Sequence, residues 1–211
     1  MYLPGHFAET RSEVLHALMR ERSFATLVTQ GGNGLNADHL PLHFAAGIGP
    51  HGVLHGHVAR ANPLWREAAD SEVLVIFQGP QAYVTPSWYE TKRADGKAVP
   101  TWNYVVVHAR GRLRAIDDPV WLRALLETLV ERHEAPLPEP WHIADAPPDY
   151  IGKMLGAIVG IEIVISEISG KWKTSQNQPG VNRAGVVAGL RQQGTDDAQQ
   201  MAELVAGLPA R

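Results

Sequence analysis

The sequence predicts an α+β fold, an antiparallel β-sheet or barrel with appended helices, and three observations carry that prediction. From Phe24 onward, short β-branched and apolar runs alternate with clusters of turn residues. Helical spacing of apolar residues is confined to the region after Thr10, the region after Asp118 and the tail from Arg183. Between the last two, Ile158 to Ile168 places Ile161, Ile163 and Ile165 on one side of a strand. A chain of 211 residues is long enough to bury a sizeable core as one domain.

Each element follows from local chemistry. Thr10-Arg11-Ser12-Glu13 has the form of a capping box opening a helix to about Arg22, with Val14, Leu15, Leu18 and Met19 facing the core. Phe24 to Thr29 is the first strand, and Gln30-Gly31-Gly32-Asn33-Gly34 supplies the positive-φ positions of a hairpin returning as Leu35 to Phe44. Gly47 to Gly52 turns the chain into Val53 to Val58. Asn62 caps and Pro63 opens a short helix between Ala61 and Ala69. Val73 to Gln78 and Ala82 to Thr85 are two strands about a Gly79-Pro80 turn. Thr91 to Lys97 is an exposed loop, and Trp102 to about Arg114 a long strand. Asp118 and Pro119 start a helix carrying Val120, Trp121, Leu125, Leu129 and Val130. Pro136, Pro138, Pro140, Pro147 and Pro148 mark a surface linker, with a short helix from Asp149 to Leu155 after it. The helical tail breaks near Gly194-Thr195.

Composition narrows the function classes. Apolar residues make up 45% and charged residues 19%, ordinary values for a globular domain. With no cysteine, disulfides, thiolate metal ligands and thiol nucleophiles are excluded together. The start Met1 to Phe7 lacks a basic leader, and no apolar run reaches membrane-spanning length, so the expectation is a cytoplasmic protein without membrane contact. A formal charge of −3 withholds the electrostatic footprint of a strong nucleic-acid binder, so any DNA contact is local or made by a dimer.

Four constellations could carry chemistry. His55 and His57 share a strand face, as do His39 and His43, which suits metal ligation, solvent exposure or a cofactor edge. Trp88, Tyr89, Trp102 and Tyr104 bracket a polar loop, and their flat faces with polar handles suit a fused-ring cofactor, another subunit or simple packing. Arg110, Arg112 and Arg114 form a period-two ladder that could hold phosphate or pair with acids. Lys171 and Lys173 could hold a dianion while Ser175, Gln176 and Asn177 fix its orientation, or the segment is a surface turn. There is no phosphate-cradling glycine loop, no nucleophile elbow and no helix-turn-helix rich in base-reading residues.

Read in order, several runs resemble the PaiB family of FMN-binding negative transcriptional regulators. They are Met1 to Phe7, His39-Leu40-Pro41-Leu42, Gly56-His57, Asn62-Pro63, Phe77-Gln78-Gly79-Pro80, Ser87-Trp88-Tyr89, Val99 to Tyr104, Gly111 and Lys171 to Asn177. The last motif departs from the family's usual form, with Thr174 in place of leucine and Gln178 in place of arginine, and the Lys92 to Lys97 loop is longer. The resemblance implies a mostly antiparallel FMN-binding split barrel over residues 1–177. Residues 178–211 would be a helical extension of the same domain, and FMN would sit at a homodimer interface.

The cofactor-binding residues it singles out are His39, Leu40, His57, Arg60, Asn62, Trp102, Asn103, Lys171, Gln176 and Asn177. Arg60, Lys171 and the arginine ladder are the phosphate candidates. Trp102, Asn103 and the backbone near His39 and Leu40 are the ring candidates. No residue stands out as catalytic or as a metal ligand. The implied function is an FMN-binding transcriptional regulator. The alternative is a flavin-dependent oxidoreductase or haem-processing enzyme, because a flavin carries its own redox chemistry.

Overall fold

The computed structural model describes residues 1–32 and 34–209; Asn33, expected in the first hairpin turn, lies outside the described residues. In chain order the elements are β1 (Ala8–Glu9), α1 (Ser12–Glu21), β2 (Phe24–Gly31), β3 (Gly34–Pro41), β4 (His43–Ala45), β5 (Val53–Ala59) and α2 (Leu64–Glu67). There follow β6 (Glu72–Val84), α3 (Lys92–Asp95), β7 (Thr101–Ile116), α4 (Pro119–Glu134), α5 (Pro148–Gly156), β8 (Ile158–Lys173), α6 (Gly180–Gln193) and α7 (Asp196–Ala206). Among the described residues the strands form one sheet in the order β3, β2, β6, β7, β8, β5, β4, with β1 on β8. The pairings of β2 with β3 and β6, and of β5 with β4 and β8, are antiparallel. The antiparallel α+β expectation holds.

Two compact units make up the chain. Met19–Phe77 and His108–Ile168 form one; Met1–Leu18, Gln78–Val107 and Ser169–Arg211 form the other. In the first, alternation along the strands buries Leu27, Val75, Leu113, Ile161, Ile163 and Ile165, so the register Leu27 to Val75 places apolar side chains together. Two glycines there are required by close approach. A Cβ on Gly111 would overlap the Val164 carbonyl, and one on Gly56 would lie 2.7 Å from Leu42 Cδ2 and 3.2 Å from the Pro41 carbonyl. In the second unit α6 packs on α7, and the Trp88 segment fills the space over Gly185 and Gly189, where a Cβ would overlap it.

Several helix signals operate as chemistry dictates. Asp118 Oδ1 accepts from the N–H groups of Val120 and Trp121 at the start of α4, and Asn62 Oδ1 accepts from Leu64 N at 2.9 Å at α2. Thr195 caps α7 through Ala198 N, after Gly194 at φ 70° ends α6.

Other expectations are corrected. Helix α1 opens one residue later than the capping-box reading: the Arg11 carbonyl accepts from Val14 and Leu15, while the Glu9 carboxylate takes the Arg11 N–H. Gly79-Pro80 is no turn but lies inside β6, where the buried side switches parity. Gly79 is there because Leu18 and Val105 stand 3.0 Å from the place of a Cβ. His39 and His43 do not share one strand. Leu42, fully buried and donating its N–H to the Ser23 carbonyl at 2.8 Å, separates β3 from β4. The loop Thr91 to Lys97 contains the single turn α3, ended by Gly96 at φ 67°. Strand β8 continues past Ile168 to Lys173, so Lys171 is a strand residue paired with Ala8. Helix α6 starts at Gly180, before Arg183.

Candidate functional site

In the unit that holds β1, α6 and α7, the end of β8 and the start of β7 supply a polar cluster. Asn103 is 1% exposed, and its amide donates to Ser175 Oγ at 2.9 Å; the Ser175 hydroxyl lies 3.3 Å from Asn103 Oδ1. Ser175 reaches it because its backbone adopts φ 66°, a left-handed conformation that turns the chain immediately after β8. Gln176 clamps that turn, accepting from Thr174 N at 2.7 Å and donating to the Trp172 carbonyl. Asn177 is exposed beyond the clamp.

Two ammonium groups lie close by. Lys171 is 7% exposed, donates to the Tyr2 carbonyl at 3.0 Å and stands over the rings of Tyr2 and Tyr104 at 5.6 and 5.3 Å. Lys173 donates to Thr101 Oγ1 and the Trp102 carbonyl, and burial, with the charge of Lys171 behind it, pulls its pKa down. Among the described residues neither lysine forms an ion pair. Their acceptors are neutral, which is an unusual arrangement for a buried cation such as Lys171 and a half-buried one such as Lys173.

A cleft of about 240 Å³ opens against this cluster, lined by Asn103, Lys173, Ser175 and Asn177 together with Tyr89, Thr91, Thr101, Gln178 and Asn182. Asn182 is 2% exposed; its amide donates to Thr91 Oγ1 at 2.9 Å and to Gln178 Oε1 at 3.0 Å, and its carbonyl accepts from Thr91 N. Burial raises the pKa of the Tyr89 phenol. Trp102, in contrast, is 54% exposed and meets Tyr83 edge-on with ring centres 5.9 Å apart.

Sequence reasoning singled out Trp102, Asn103, Lys171, Gln176 and Asn177 in this unit, and it named Lys173 only as a possible anion holder. It named Tyr89 only among aromatic groups suited to a ring cofactor, a subunit contact or packing, and it missed Thr91 and Asn182. A signal existed for Asn182: it precedes Val186 and Leu190 on the buried stripe of α6, an amide at apolar spacing.

The other unit holds His39, Leu40, His57, Arg60 and Asn62, and here the polar side chains other than His57 find partners within the unit. His39 is exposed on edge strand β3, its Nδ1 3.0 Å from Thr26 Oγ1, while the Leu40 side chain is buried in the core. Asn62 donates to Asp38 at 2.8 Å. Arg60 donates both terminal nitrogens to the Asp117 carboxylate at 2.8 and 2.6 Å, and adds bonds to the carbonyls of Gly156 and Ile158. That joins the end of β5 to both ends of the α5-β8 connection. Burial lowers the pKa of His57, and its Nδ1 is unpartnered.

The arginine ladder takes the acid-paired form. Arg110 meets Glu72 at 3.4 Å and Glu167 at 3.9 Å, Arg112 meets Asp70 at 3.7 Å, and Arg114 meets Glu162 at 3.5 Å. His43 lies opposite His55 across β4 and β5, and His55 contacts Glu162 at 3.1 Å. Among the described residues no three His, Asp or Glu side chains gather in metal-binding geometry. No helix among them is long and apolar enough to cross a membrane.

The lysine cluster fits FMN in chemical type. Unpaired ammonium groups suit a phosphate dianion, amides and hydroxyls suit a ribityl chain, and an exposed indole suits the flat ring.

Comparison with known proteins agrees. Residues 1–167 match the family described as "Putative FMN-binding domain". The protease synthase and sporulation protein PAI 2 of Bacillus subtilis is 35% identical over 206 residues, spanning 97% of this chain and 96% of that protein. Among solved structures, the FAD and heme binding protein from Mycobacterium smegmatis is similar at a TM-score of 0.58 and 17% identity, over 79% of this chain and 73% of that one. The flavocytochrome Anf3 from Azotobacter vinelandii is similar at 0.55 and 15% identity, over 79% and 69%. These likenesses identify the fold as the flavin-binding split barrel. With the match covering most of its length and a relative of 35% identity aligned nearly end to end, the chain belongs to the PaiB-type family of FMN-binding split-barrel proteins, with FMN as its cofactor.

Proposed function

We propose that the protein is an FMN-responsive negative regulator of gene expression that works as a homodimer, with each flavin held where two copies meet. The observation that carries this reading is the pair Lys171 and Lys173, a buried and a half-buried ammonium group with only neutral acceptors among the described residues, beside a cleft lined by Asn103 and Ser175. Lys173, backed by Lys171, is positioned to meet the phosphate. Asn103, Ser175, Gln176 and Asn177 would orient the polyol chain, and Trp102 offers its face to the ring. When bound, FMN supplies electron-accepting chemistry that the side chains lack.

Size argues for the second subunit. Pockets that bury a cofactor-sized ligand occupy roughly 300–1,000 Å³, more than the 240 Å³ of this cleft. The remaining surface has to come from elsewhere, and Trp102 and Tyr83, both large and exposed, supply an apolar face on which a second copy could close. The regulatory role follows the PaiB relationship; with the ladder Arg110 to Arg114 committed to acids, any DNA contact falls to other basic groups. In this reading the protein is cytoplasmic. His39, Leu40, His57, Arg60 and Asn62 serve the fold of their own unit and do not grip the phosphate.

The test is direct. Purified protein titrated with FMN should turn yellow at one flavin per chain, run as a dimer in light scattering, and retard promoter DNA in a salt-sensitive manner that differs between flavin-free and flavin-bound forms. Failure to retain FMN would overturn the cofactor site. Absence of salt-sensitive DNA binding in both forms, with steady NADH oxidation, would move the protein to the oxidoreductases.

A further inference from the structure

The helix α6 has two working faces. One, through Gly185 and Gly189, is filled by the Trp88 segment. The other, through Gly180, Arg183, Ala184, Val187, Ala188 and Arg191, borders an open groove of about 390 Å³ whose far wall is Val205, Ala206 and Leu208 at the end of α7. These α6 residues follow at helical spacing and make a single stripe.

Arg183 is the anomaly in that groove. It is 7% exposed, and its Nε is buried without a hydrogen-bond partner; among the described residues it forms no ion pair. A guanidinium cannot escape burial by losing its proton, so withdrawing it from water without a counter-charge is costly. One turn before it, Pro179 precedes α6 at the N-cap and offers no side-chain cap, and Gly180, whose N–H belongs to the free first turn, also lines the groove. The two features favour the same kind of ligand atom, an anionic oxygen. The rest of the wall is aliphatic.

We infer that this groove is a second ligand site, separate from the flavin cleft, that binds a small carboxylate with an aliphatic body. The carboxylate pairs with the Arg183 guanidinium near the start of α6, in a charge-assisted hydrogen bond. The hydrocarbon lies along Ala184, Val187 and Ala188 against Val205 and Leu208. Arg191, exposed at the far end of the stripe, adds positive potential at the mouth.

The experiment titrates the flavin-loaded full-length protein with octanoate, 1-octanol and inorganic phosphate, followed by calorimetry and by amide shifts at Ala184 and Ala188. Octanoate should saturate one site per chain, while octanol and phosphate at equal concentration should not. Arg183→Met should weaken octanoate at least about tenfold, the loss of one charge-assisted bond. Ala188→Trp, at an exposed position, should fill the groove and abolish binding with flavin content and melting curve unchanged. Non-saturating octanoate, equal binding by phosphate, or undiminished affinity in either variant would overturn the site. If Arg183→Met does not fold, Ala188→Trp decides: lost binding supports the site and retained binding refutes it.

Discussion

The two units treat their polar residues in opposite ways. Around His39, Arg60 and Asn62 the polar side chains largely answer one another: Arg60 with Asp117, Asn62 with Asp38, and each ladder arginine with an acid. Around Asn103 and Ser175 the amide and hydroxyl are satisfied, but Lys171 and Lys173 face only carbonyls and a hydroxyl. A polar group with a complete set of internal partners is architecture. A buried charge left without its opposite is an invitation to a ligand. The same criterion separates Arg60, which sequence reasoning placed in the site, from Lys173, which it named only as a possible anion holder.

Five measurements would break or sharpen that contrast. The largest effect belongs to Gly111→Ala, where the new methyl collides with the Val164 carbonyl; a loss of about 3 kcal/mol or more in urea unfolding is expected, with flavin loss only as a consequence. Lys173→Met should weaken FMN about 30-fold in a fluorescence titration, equivalent to about 2 kcal/mol for a bond to a charged group. Its unfolding midpoint should hold or rise, because the burial that depresses this ammonium's pKa is relieved. Equal damage to folding and flavin binding would erase the distinction between the units.

Asn103→Ala should do some of both. It strips the buried Ser175 hydroxyl of its partner, costing about 1–2 kcal/mol of stability, and it loosens FMN. Arg60→Met is the converse control, with a lower melting temperature because the Asp117, Gly156 and Ile158 contacts go, but an unchanged FMN dissociation constant. A flavin defect there would return Arg60 to the cofactor.

The smallest effect is pH-dependent. Burial lowers the pKa of His43, His57 and His108, with nearby positive charge adding to it for His43 and His108. Below the ordinary histidine value of about 6.5 the unfolded chain takes up protons that the folded chain refuses. This contribution to stability is therefore complete above that value and is lost as pH falls through the lowered folded values. Replacing His57 with Gln should flatten the melting curve's dependence between pH 7 and 5.

Much of this was legible from residues alone. Period-two burial gave the strands, and Asn62, Asp118 and Gly194-Thr195 marked helix ends whose caps depend only on neighbours in sequence. What failed at several positions was inference that needed a distant partner. Gly79-Pro80 has the composition of a turn, but Leu18 and Val105, far away in sequence, determine that a glycine is needed inside a strand. Lys171 has the polarity of a surface turn, but pairing with Ala8 makes it strand and buries it. At the site, Asn103 and the lysine motif were recognisable as runs. That Ser175 bends back onto Asn103, and that Thr91 and Asn182 close the cleft, depends on contacts of 72 and 91 residues' separation.

Trp88 resting on Gly185 and Gly189 has a consequence for descent. A side chain at Gly189 would overlap the indole itself, and one at Gly185 would overlap the Trp88 backbone carbonyl. A smaller side chain at 88 would release position 189 to take alanine or serine, whereas position 185 stays bound to glycine because the Trp88 backbone carbonyl remains in place whatever side chain stands there. Paired change at 88 and 189 among relatives would be the fossil of that release.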